Sequence, residues 1–209
     1  MKLVLLFVLA VSLHGCALLS KGTVPTRRYF SPDVEAGSAP VGIPPASAEL
    51  RLGRITSSAF LGERIMFRES DHEVGFYDDR IWTEKPEAYL RRALTRVLFE
   101  EQGLRSVVRG AGPSLDLELI SFEEVMTPVH LARVKISFSL SDERVVSLQQ
   151  TLTVERPVAA SSPQAEASAV AEAMGVALRD AVNDMSGRVI ADLARGRQTS
   201  PQCPVAAVR

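Results

Sequence analysis

Between Ser114 and Glu155 the chain alternates apolar and polar residues with few interruptions. Leu115, Leu117 and Leu119 stand in one phase against Asp116 and Glu118. Val134, Ile136, Phe138 and Leu140 stand in one phase against Lys135, Ser137 and Ser139. Val146, Leu148, Leu152 and Val154 keep a third run in phase, with Gln150 as an exception. A period of two sends alternate side chains to opposite faces, so these runs predict three strands of a sheet with one buried and one solvated face. At Leu119-Ile120 the phase slips, because Ile120 and Phe122 continue on the other parity. That predicts a bulge or a turn of the strand. Ser141-Asp142-Glu143-Arg144 is a short polar connection that joins the last two strands as a hairpin.

Upstream, "AELRLGRI" places Leu50, Leu52 and, after Gly53, Ile55 as a strand. "RIMFRE" and "VGFYDDRIW" read as two short strands around the polar turn Ser70-Asp71-His72-Glu73. The period then changes to that of a helix in "TEKPEAYLRRALTRVLFEEQG". Leu90, Leu94, Val97 and Leu98 share a face with Ala93 beside them, and Arg91, Arg92 and Arg96 lie toward the other side. Thr83 is the expected N-cap, Glu84 and Glu87 suit the helix start, and Gly103 supplies the stop. A second helix is expected from after Ser161-Ser162-Pro163 to Arg195, closed by Gly196. Its stripe is Val170, Met174, Ala177, Leu178, Ala181, Met185, Val189 and Leu193. Gly175 and Gly187 each weaken it by about 1 kcal/mol relative to alanine and mark close packing or a break. The expected fold is α+β, a mostly antiparallel sheet with two amphipathic helices packed on one face.

The first residues follow neither period. Lys2 precedes an uncharged run from Leu3 to Leu13, and Gly15-Cys16 follows. Eleven uncharged residues make roughly 16 Å of helix, about half the hydrocarbon thickness of a bilayer. This is an export signal and a poor stop-transfer segment. Leu13-His14-Gly15-Cys16 resembles the bacterial lipobox, which implies that Cys16 becomes the mature amino terminus and carries the acyl chains, palmitate among them. Each buried methylene of such chains adds about 0.8 kcal/mol of membrane binding. Ala17 and Leu18 follow, with no aspartate of the inner-membrane retention kind, and by the same resemblance the anchor belongs in the outer membrane. The expected organisation is a signal peptide over 1–15, a lipidated amino terminus and Pro/Gly/Ser-rich tether over 16–48, a domain over 49–196 and a disordered tail over 197–209. The tether holds one candidate strand at Arg28-Tyr29-Phe30. A flexible tether from Ala17 to Ser47 has an r.m.s. reach of roughly 30 Å, which suits work close to the membrane.

Composition adds exclusions. A net charge of −1 on 209 residues carries no electrostatic footprint for nucleic acid. With Cys16 acylated, Cys203 has no intramolecular partner, so no disulfide framework is expected. His72 reads as a solvated turn residue, and His130, after Thr127-Pro128-Val129, as lining a strand end. No zinc-type spacing, nucleophile elbow or phosphate loop occurs, so neither metal nor other cofactor is expected and catalysis is not. Asp78-Asp79 lie on a strand, where adjacent carboxylates point to opposite faces, and read as a charged edge.

The lipobox, "RRYFSPD" and "FLGERIMFRESDHEVGFYDDRIWTEKPEAYLRRALTRVLFEEQGL" together resemble the ABC-type transport auxiliary lipoproteins, the PqiC-like family, from about Arg28 to Ala194. Ile65 to Arg68 matches the family's Ile-x-x-Arg strand, and Trp82 its tryptophan at the first helix. The resemblance implies a non-enzymatic partner of an inner-membrane ABC transporter and an MCE-type lipid-binding protein, standing at the outer-membrane end of a lipid transport assembly. A docking ring for a tubular partner would make it a homo-oligomer. The alternative is an envelope lipoprotein that activates or scaffolds an enzyme such as a peptidoglycan synthase. Phe76, Tyr77 and Trp82 are the candidate partner contacts, unless they pack beneath the first helix.

Overall fold

The computed structural model describes residues 26–32, 48–110, 112–160, 162 and 166–199. Eight strands among them form one sheet: β1 (Arg28–Phe30), β2 (Glu49–Ser57), β3 (Arg64–Ser70), β4 (Glu73–Trp82), β5 (Arg105–Ser106), β6 (Ser114–Val125), β7 (Leu131–Ser141) and β8 (Val146–Pro157). Helix α1 (Pro86–Thr95) runs into a π-helical turn over Arg96–Glu101, and α2 spans Glu166–Thr199. None of the described helices is long and apolar enough to cross a membrane.

Strand β6 organises the sheet. Along one edge it pairs with β7 for its whole length, antiparallel, from Ser114↔Ser141 to Val125↔Leu131. Its other edge carries two strands end to end. β2 lies parallel to its first half up to Ser57↔Leu119, and β3 lies parallel to its second half from Met66↔Glu123. β4 pairs antiparallel with β3, β1 parallel with β4, β5 parallel with the start of β2, and β8 antiparallel with β7. The long ladders are the antiparallel ones, so the sheet is mostly antiparallel, with both helices on one face.

The phase slip is a bulge. The β6–β7 register shifts between Leu119 and Ser121. Before the shift Leu115, Leu117 and Leu119 face the core opposite Leu140, Phe138 and Ile136; after it Phe122 does so opposite Val134. The extra residue therefore carries Glu124 to the core side, opposite Ala132, and turns Glu123 to the other side. A second irregularity, between Leu52 and Ile55, sits at Gly53. The Asp116 side chain occupies the space a Cβ there would need, and its Oδ1 accepts the Arg54 amide at 2.6 Å.

Two expectations change. Thr83 does not cap α1: Lys85 stands at the N-cap position without a side-chain hydrogen bond, and Pro86 opens the helix, where a missing N–H costs nothing. The Thr83 hydroxyl instead lies 2.7 Å from the Tyr89 hydroxyl, which also accepts the Glu84 amide at 2.9 Å. Helix α2 runs through Gly196 to Thr199 and is unbroken at Gly175 and Gly187. Gly103, at φ +66°, follows the π-helical turn as the expected stop. Arg96 and Glu101, five residues apart, pair at 3.2 Å in register with the wider π spacing. The Gln150 exception is also explained: it shares the phase that faces α2, and Arg188 donates to its Oε1 at 2.8 Å. Val146, in the same phase, is exposed near the strand's start.

Candidate functional site

The bulge places two adjacent glutamates, both fully buried, on opposite sides of the sheet. Glu124, at the end of β6, faces the core and gathers a polar cluster from four elements. His130, just before β7, brings Nε2 to 2.6 Å from Glu124 Oε1. Arg80, on β4, sets Nη1 3.8 Å from Glu124 Oε2 and Nη2 3.9 Å from Glu166 Oε2 in the first turn of α2. The Arg80 guanidinium lies over the Tyr77 ring, 3.9 Å from its centroid. Glu124, His130 and Glu166 each bring a ligand-type atom within 4.8 Å of the other two. Glu124 Oε2 and Arg80 Nη1 are buried and neither makes a hydrogen bond among the described residues. Burial first, then the Glu124 charge, pushes the Tyr77 phenol well above its ordinary value, so Tyr77 stays neutral.

Glu123 turns the other way and is held by two arginines. Arg68 Nε donates to both carboxylate oxygens at 3.1 Å, and Arg133 Nη1 donates to Oε1 at 3.3 Å. Arg133 Nε in turn donates to Glu155 at 2.7 Å, so a chain of ion pairs crosses from β3 through β6 and β7 to β8. Farther along, Arg54, Thr56, Asp116, Glu118, Ser137 and Gln149 line a depression of about 570 Å³.

Of the expected contact residues, Trp82 is not available at the surface. It is 1% exposed and packs edge-on against Phe122 and Tyr89, with centroids 5.2 and 6.3 Å away. A large ring at the junction of β4 and α1 is drawn into the core by the area it buries. Phe76 and Tyr77 are half-buried and pack against that core. Asp78 is exposed and pairs with Arg64 at 2.7 Å, and His72 lies exposed in the β3–β4 turn. Cys16 and Cys203 lie outside the described residues. Sequence spacing does not announce the Glu124 cluster, because its members come from separate elements. The one available signal is the bulge, which forces a glutamate into the core phase.

The fold recurs in solved structures. A Xanthomonas campestris protein of family DUF330 is similar with a TM-score of 0.71 at 20% identity, over 82% of this chain and 100% of that one. A hypothetical protein of Chlamydia trachomatis, CT253, is similar with a TM-score of 0.53 at 10% identity, over 72% of this chain and 99% of that one. At these identities the likeness is one of fold. No curated protein matches the chain. Residues 32–185 match the ABC-type transport auxiliary lipoprotein component, a span from just after β1 to well into α2, and the chain belongs to that family.

Proposed function

We propose that this lipoprotein is a non-enzymatic accessory component of an ABC- and MCE-type lipid transport system, anchored through acylated Cys16 on the periplasmic face of the outer membrane. The family match over residues 32–185 carries the reading. The geometry of the amino terminus supports it. β1 pairs with β4 from Arg28 onward, so the chain from Cys16 to the sheet is 12 residue steps long, with 11 residues between. Such a segment spans at most about 43 Å fully extended. A domain on so short a lead works beside its membrane and acts there by contact with transporter partners. Buried Glu123 is engaged by two arginines in a manner that holds strands together, a structural use of its charge.

The test is a Cys16→Ser variant with density-gradient fractionation. The native chain is expected in the outer-membrane fraction and the variant in the soluble or inner-membrane fraction. Retention of the variant in the outer membrane would remove the anchor. Affinity capture of the native chain should bring down MCE-type and ABC transporter subunits. Capture of a peptidoglycan synthase in their place would favour the alternative role.

A further inference from the structure

The Glu124 cluster is short of positive charge. Two carboxylates, Glu124 and Glu166, meet one guanidinium, Arg80, while Tyr77 is neutral. Glu124 is fully buried, and its Oε2 has no hydrogen bond among the described residues. A carboxylate taken out of water without full pairing is costly, by several kcal/mol even after relaxation. A second positive charge between the carboxylates removes that cost. A cation bound by His130 with the two glutamates supplies such a charge.

We propose that Glu124, His130 and Glu166 bind one divalent transition-metal ion of the zinc class. The donor set is an imidazole and two carboxylates, which suits zinc; the imidazole disfavours magnesium and calcium, which take oxygen ligands. The division of oxygens fits. Glu124 turns Oε1 to His130 and Oε2 to Arg80, and Glu166 turns Oε2 to Arg80. Arg80 thus sits behind the carboxylates as a fixed outer charge and leaves an oxygen of each for the ion. Ligands about 2.0–2.1 Å from zinc stand about 3.3 Å apart in a tetrahedron. The three donor atoms, the closest pair 2.6 Å apart and all within 4.8 Å, reach that spacing by small side-chain movements. His130 and Glu166 are each partly exposed, at 30% and 27%, and supply the entry path; buried Glu124 supplies the dry wall.

The experiment uses the full mature lipoprotein in detergent, free of affinity tags, with Cys203→Ser to remove the remaining thiol. After chelation, zinc chloride is titrated by calorimetry and thermal unfolding, and cobalt chloride by visible absorption. The expected result is one zinc ion per chain, a raised melting temperature, and cobalt bands of a low-coordinate nitrogen and oxygen site. Equal magnesium or calcium should leave the melting temperature unchanged. His130→Ala and Glu166→Gln, on the rim of the core, should each weaken zinc binding at least about ten-fold while keeping the native circular dichroism spectrum. Absence of saturable zinc binding to the folded protein would overturn the proposal. Zinc binding that survives both substitutions would overturn it as well.

Discussion

Glu123 and Glu124 are neighbours in the chain and both fully buried, yet their surroundings differ in kind. Glu123 meets two arginines that donate to both of its oxygens, and each arginine keeps about a quarter of its side chain in water. Glu124 meets one guanidinium beyond hydrogen-bond distance and a histidine that is charged only when protonated. Buried ion pairs contribute when every lone pair finds a donor, and a half-satisfied one is a liability. Glu123 therefore acts as a clasp between strands. Glu124 is a site in waiting, because its deficit is what a ligand or a proton removes.

The strongest way to break this contrast is to insert one alanine between Ser121 and Phe122. With one residue more than the bulge absorbs, 115–119 keep their phase while everything after Ser121 inverts. Glu123 would turn into the helix-covered core without its arginines, and Phe122 would lose its place against Trp82. The cost should exceed about 5 kcal/mol, the lower end of the stability of a domain of this size. The insertion is expected to abolish the cooperative thermal transition by circular dichroism. Ile120→Ala keeps the bulge and should melt cooperatively. An insertion variant that melts like the native chain would show that the strand phase after the bulge does not set the two faces.

This feature was largely legible in the sequence. Period-two runs gave the three long strands, and the parity change at Ile120 gave the bulge, because a sheet with one buried face punishes a register error at every position. Less was legible where one side chain competes with a local rule. Thr83 has the chemistry of an N-cap, but the Tyr89 hydroxyl takes it and leaves Pro86 to open the helix. Gly196 has the chemistry of a stop, yet α2 continues through it. The Glu124 cluster was invisible for another reason. Five residues separate Glu124 from His130 and a whole strand pair separates both from Glu166, so only the return of β8 into α2 brings the three together.

A gentler pair of substitutions sharpens the contrast. In chelated protein, Glu123→Gln removes the charge that both Arg68 and Arg133 require, and should cost about 2–3 kcal/mol after allowance for the arginines' access to water. Glu124→Gln also removes a charge, but one held with a deficit, and Arg80 retains Glu166. It should cost about 1 kcal/mol or less. Urea denaturation of the two variants reads the difference directly. The reverse order would mean that Glu124, not Glu123, is the satisfied carboxylate.

The smallest effect isolates hydrogen bonding from burial in a third carboxylate. Asp142, in the β7–β8 turn, is fully exposed, and its Oδ1 accepts the amides of Arg144 and Val145 at 2.8 Å each. These backbone donors hold its carboxyl below the ordinary value of 3.8. A depressed carboxyl stabilises the fold in full above its unfolded value, and that stabilisation fades as pH falls through the folded one. Asp142→Ala should therefore speed amide exchange at Arg144 and Val145 near neutral pH. Below 3.8 the native turn should loosen toward the variant, because protonation removes the same acceptor charge. Glu123 combines donors with burial, Glu124 has burial with too few donors, and Asp142 has donors alone. Exchange rates at those two amides that stay equal in both chains would show that the donors in this turn contribute nothing.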